Sequence, residues 1–107
     1  MFARVSIYEL PGERMDEAVE SFRSAFDQIR TLDGFSEGFF FVSPEDDRAK
    51  AVTVWETWAA MEASRVTASR LRADAARLVE GSVVSVNDYE IALHVVGDAV
   101  DALDASG

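Results

Sequence analysis

The sequence predicts a ferredoxin-like α+β domain: strand–helix–strand–strand–helix–strand, folding to a four-stranded antiparallel sheet with both helices on one face. Three observations carry this. Two stretches place apolar residues at helical spacing, four runs are rich in β-branched and aromatic residues, and turn residues punctuate the joints between them. A length of 107 residues suits one domain, assigned to residues 1–96, followed by a short acidic tail over 97–107.

The elements follow in order. Phe2 to Leu10 reads as a strand closed by Pro11-Gly12. Met15, Ala18, Val19, Phe22, Ala25, Phe26, Ile29 and Leu32 form one apolar stripe, so a helix is expected over 13–32, ended by Gly34 in a left-handed conformation. Phe35 to Ser43 and Lys50 to Glu56 form a hairpin across Pro44-Glu45-Asp46-Asp47. Thr57 caps a short helical piece marked by Trp58 and Met61. Ala68, Leu71, Ala75, Leu78 and Val79 then define a helix over 64–80, stopped by Gly81. Val83 to Val96 reads as one long last strand.

A sheet with one covered face needs only alternate residues to be apolar. These strands exceed that. Phe35, Phe39 and Phe41 are expected on one face with Phe40 and Val42 on the other, and Val52 and Val54 oppose Ala51, Thr53 and Trp55. A homodimer that buries sheet against sheet accounts for the surplus.

Composition excludes several partners. Twenty acidic residues against ten basic ones leave a net charge of −10, which repels nucleic acid and anionic membrane surfaces. No apolar run is long enough to span a bilayer, and no signal peptide is legible, so a cytoplasmic protein is expected. With no cysteine, thiolate chemistry and disulfides are absent.

Several short motifs then stand in a familiar order: Tyr8-Glu9-Leu10-Pro11-Gly12, Asp33-Gly34-Phe35, Val54-Trp55-Glu56-Thr57 before Ala60-Met61, and Asn87-Asp88-Tyr89-Glu90. Together they resemble the antibiotic biosynthesis monooxygenase domain of the dimeric α+β barrel superfamily, over residues 2 to about 96. The resemblance implies a monooxygenase that needs no metal, flavin or other cofactor. Its ligand would be a small apolar or electron-rich aromatic or quinol, able to give dioxygen its first electron once deprotonated. Trp55 matches that subfamily's Trp-Glu position, and Arg72 matches a helical Arg suited to stabilising the anion. An Asn of the family falls at Ala51 and a Tyr at Met61. The alternative is a non-catalytic dimer that binds a small ligand or a partner.

Each candidate also has a plain structural role. Trp55 serves as core packing and Arg72 as a solvated helix flank. Ser6 and Tyr8 share a strand face with Arg4, giving polar points in an apolar pocket or an exposed edge. Phe39 and Phe41 exclude water from the site if their face is the inward one. The haem-degrading branch of the superfamily is disfavoured, because its working Asn, Trp and axial His fall at Ser6, near Ser64 and near Ala73. His94, the single histidine, has no second His for a metal site. Glu45-Asp46-Asp47 lacks the spacing of a calcium loop and reads as a solvated turn.

Overall fold

A computed structural model describes residues 1–98 of the chain. The expected acidic tail lies outside the described residues from position 99 onward. Strand β1 (Phe2–Glu9) leads through a short 3-10 turn at Gly12–Arg14 into helix α1 (Met15–Ile29). Strands β2 (Phe35–Ser43) and β3 (Arg48–Trp55) form the hairpin. Helices α2 (Trp58–Ala63) and α3 (Arg65–Leu78) return the chain to strand β4 (Ser82–Glu90). The strands lie in the order β2-β3-β1-β4, every neighbour antiparallel. This is the ferredoxin-like α+β arrangement expected.

The alternation along β1 sets the two faces. Arg4, Ser6 and Tyr8 turn toward the helices, paired across β3 with Thr53, Ala51 and Ala49. Their counterpart on α1 is the stripe Met15, Ala18, Phe22, Ala25 and Ile29, all buried. Tyr8 meets Phe22 edge-on at 4.7 Å, and Phe22 stacks on Phe40 at 4.4 Å, so α1 is locked to the sheet by three rings.

A register break in β2 alters the expected faces. Ser36 is an extra residue between the pairs Phe35↔Trp55 and Glu37↔Val54. This bulge re-aims Phe35, which joins Phe40 on the helix side and meets Trp55 edge-on at 5.4 Å. Phe39 and Phe41 remain on the open face, stacked at 5.8 Å and about half exposed.

Three boundaries differ from expectation. Helix α1 ends at Ile29, because the Thr31 hydroxyl and the amides of Thr31 and Leu32 satisfy the carbonyls of Gln28 and Ile29 in tight turns. Gly34, at φ +79°, serves the entry to β2 rather than the helix end, and a Cβ there would stand 2.4 Å from Ala60 Cβ. At the end of α3 the left-handed residue is Glu80 at φ 60°, while Gly81 donates to the Ala76 carbonyl at 2.8 Å. Strand β4 stops at Glu90 rather than Val96. Ile91 makes one last bond, to the Met1 carbonyl at 2.9 Å.

Candidate functional site

The site begins with a buried charge. Arg4 is 1% exposed, and each nitrogen of its guanidinium is engaged: Nε donates to Asp88 Oδ1 at 3.0 Å, Nη1 to Ser64 Oγ at 3.2 Å and Nη2 to the Met61 carbonyl at 3.0 Å. Asp88 also accepts from Arg65. Burial alone would raise the Asp88 carboxyl, but the hydrogen bonds from Arg65 and Arg4 outweigh it and hold it below the usual carboxylate range. This cluster ties β1 and β4 to the junction of α2 and α3.

Arg72 stands beside it under different terms. It lies on the inner face of α3 at 7% exposure, so the solvated-flank role is overturned. The reason is the helical spacing itself, which puts Arg72 next to Leu71, Ala75 and Ala76 on the stripe facing the sheet. Among the described residues no carboxylate lies within ion-pair distance of it, and no side-chain hydrogen bond reaches it. Burial pulls its guanidinium below the usual arginine range; Tyr8 and Asp88 oppose this while Arg4 and Arg65 add to it. An arginine does not lose its proton in a protein, so Arg72 keeps its charge on the inner face of α3, without an ion-pair partner among the described residues.

Two hydroxyls accompany it. Ser6 is 1% exposed and lines a small inner chamber with Arg4, Thr53 and Arg72. Tyr8 is fully buried, and among the described residues its hydroxyl has no hydrogen-bond partner. Burial pushes that phenol up to about 12, with Ser6 and Arg72 offsetting only part of the rise. At neutral pH Tyr8 is therefore a donor whose acceptor is missing. The chamber between sheet and helices measures about 10 Å³, room for about one water. Next to it, an open groove of about 490 Å³ runs between α1 and β2.

Ser6 and Arg72 thus line the chamber, and Tyr8 lies close behind them, outside its wall. Trp55 shares their sheet face but lies fully buried outside the chamber wall, its indole N–H given to Thr53 Oγ1 at 3.0 Å. It acts as core. The condition set for Phe39 and Phe41 is not met, because both lie on the opposite face of the sheet. Sequence reading missed Asp88 and Thr53 as members of the site. Asp88 was visible only as part of a motif, since nothing in a sequence says that β4 returns it beside Arg4. His94 is exposed past the end of β4, and among the described residues no three His, Cys, Asp or Glu side chains converge as metal ligands. The Glu45-Asp46-Asp47 turn uses its oxygens internally: Asp46 accepts from Ser43 at 2.7 Å and Asp47 from the Gly12 amide at 2.7 Å.

No protein-family model matches the chain. The solved structures it resembles include SnoaB, a cofactor-independent oxygenase from Streptomyces nogalater. That similarity has TM-score 0.70 at 11% identity and covers 90% of this chain and 97% of SnoaB. An antibiotic biosynthesis monooxygenase superposes with TM-score 0.61 at 17% identity, over 87% of this chain and all of that one. The fold is that of the antibiotic biosynthesis monooxygenases. A mutant of MhuD with two manganese protoporphyrin IX molecules bound per active site shares the fold too, with TM-score 0.71 at 20% identity over 91% of this chain and all of its own. The residues here do not fit a haem: Ala73 is exposed and offers no ligand, Ser64 is spent on Arg4 and Met61, and the chamber holds no macrocycle. In sequence, the chain is 28% identical over 91 residues to the uncharacterised protein Rv2557 of Mycobacterium tuberculosis. The match covers 84% of this chain and 41% of that relative's length. Among the described residues no helix is long and apolar enough to cross a membrane.

Proposed function

We propose that this chain is a cofactor-independent monooxygenase of small electron-rich phenols or quinols, working in the space between the sheet and its helices. The observation that carries this reading is Arg72, a buried cation with no carboxylate partner among the described residues. A bound phenol placed against it acidifies, because the developing phenolate supplies the missing counter-charge. Ser6 donates a hydrogen bond to the same oxygen, with the Tyr8 hydroxyl behind it on the same strand face. The phenolate then passes an electron to dioxygen, and the radical pair collapses to a peroxide. Loss of water leaves a ring carbonyl, so one oxygen atom enters the product and the other leaves as water. The substrate supplies all four electrons. The fold of SnoaB supports the reaction class, and the donor set supports the anion.

The second reading is a binding module without turnover, favoured by the chamber's size and by Ala51 and Met61 where the family pattern has polar groups. Oxygen uptake with anthrone-type substrates separates the two. Uptake that disappears in Arg72→Met supports the oxygenase, and no uptake from any tested quinol or anthrone leaves the binding module. We also propose a homodimer through the open sheet face, where Phe39, Phe41 and Tyr89 are 43%, 52% and 53% exposed. The setting proposed is cytoplasmic.

A further inference from the structure

We infer that the Phe26 ring is a movable partition between the outer groove and the Arg72 chamber, and that the two spaces together take one flat, neutral phenol. This rests on the proposed function and adds how the site is entered and which ligands it admits. Phe26, on α1, is half-buried and lines both spaces. On its own the chamber, at about 10 Å³, is smaller than any aromatic ring, while the groove, at about 490 Å³, is of ligand size. A ligand oxygen therefore reaches Arg72 only when the ring swings aside, and the groove gives it room to do so.

Gly38 supplies that room from the opposite wall. It stands on β2 on the helix side of the sheet, paired with Thr53. A Cβ at this position would come 3.0 Å from Phe26 Cε1 and 3.2 Å from both Phe26 Cδ1 and Phe35 Cζ. The constraint is spatial, since its backbone is not left-handed, and a side chain here would push the Phe26 ring by a few tenths of an ångström.

Charge selects the ligand's state. Arg23, Arg30, Asp27 and Glu37 line the groove, so its walls carry no net charge, and the chain as a whole is at −10. A permanent anion is repelled at long range and finds no net cation until it has passed Phe26. A neutral phenol enters freely and ionises inside.

Binding can be followed without turnover by excluding oxygen. Trp58→Phe leaves Trp55 as the one tryptophan, and its indole reports on the chamber through its hydrogen bond to Thr53. In that background, under argon, the protein is titrated with dithranol, a neutral anthrone, and with anthraquinone sulfonate, a permanent anion. If the open state holds about a tenth of the population, removing the partition tightens apparent binding about tenfold. Phe26→Ala should therefore bind dithranol about tenfold more tightly, and Phe26→Leu should show a smaller gain should the alanine variant not fold. Gly38→Ala should weaken binding. A loss of packing alone would not raise affinity. Equal affinity in wild type and the Phe26 variants overturns the partition, as does absence of binding by all of them. Sulfonate binding as tight as dithranol overturns the neutral-ligand part. Tighter anaerobic binding without oxygen uptake in air keeps the partition and removes the oxygenase; uptake with unchanged affinities does the reverse.

Discussion

The indole of Trp55 donates its only N–H to Thr53, two residues back on the same strand, at 3.0 Å. Thr53 faces the chamber and Trp55 does not. The tryptophan is thus a support that fixes the threonine, rather than a wall of the site. Trp55→Phe should cost about 1–3 kcal/mol of stability through lost packing and an unpaired hydroxyl. Turnover per folded molecule should fall much less, as chemical denaturation and oxygen uptake on the same samples would establish.

Arg72→Met should separate function from stability in the opposite sense. The substitution replaces a buried, unpaired cation with an apolar side chain of similar reach, so the fold should be unchanged or stabilised by about 1 kcal/mol or more. Ligand binding should be lost. A Tm that falls sharply in this variant would mean that Arg72 has a structural partner.

Tyr8→Phe removes a buried hydroxyl that satisfies nothing in the free protein. Its deletion should be neutral or raise stability by about 1 kcal/mol. The folded-state value near 12 lies above the unfolded one, so the folded protein holds this proton more tightly. The corresponding stability is whole below pH ~10 and declines as pH rises toward ~12. Alkaline denaturation of the wild type should show that decline, and Tyr8→Phe should lack it while binding phenols more weakly.

Asp88→Asn tests the other end of the pH scale. The carboxyl is depressed in the folded protein, so its contribution is present above the unfolded value of about 4 and is lost as pH falls through the folded one. Replacing it leaves Arg4 buried with neutral acceptors only and no counter-ion, a loss of roughly 3 kcal/mol at neutral pH. The acid arm of the wild-type stability curve should be smaller in the variant, with Glu17, held low by Arg14, still contributing.

Phe41→Asp places a charge on the open sheet face without touching the core. Wild type should scatter light as a dimer that resists dilution, and the variant should scatter as a monomer of unchanged secondary structure. A wild-type monomer at all concentrations would remove the dimer.

Most of the fold was legible because it rests on periodicity. The α1 stripe from Met15 to Ile29, the Thr57 cap that accepts from Ala60 at 3.0 Å, and the turn after Ser43 are all local patterns. The faces of β2 were not legible. One extra residue at Ser36 moves Phe35 to the other side of the sheet, and no short-range pattern announces it. The site was half legible for the same reason. Ser6 and Tyr8 follow from alternation on one strand, whereas Asp88 joins Arg4 across 84 positions of sequence. Arg72 carried both roles in the sequence, and only the packing of α3 on the sheet decides for the buried one.

The two register breaks of the sheet both fall on edge strands. Ser36 interrupts β2, and Val84 is the extra residue that interrupts β4 opposite Ile7 and Tyr8. These are the two edge strands, while β1 and β3 run unbroken between them. An unpaired strand edge is a template on which further chains can add, and a bulge spoils the even row of amides and carbonyls that such growth needs. The same two irregularities that re-aim side chains therefore also blunt the rims of a Phe- and Val-rich sheet, which disfavours edge-on addition of further chains.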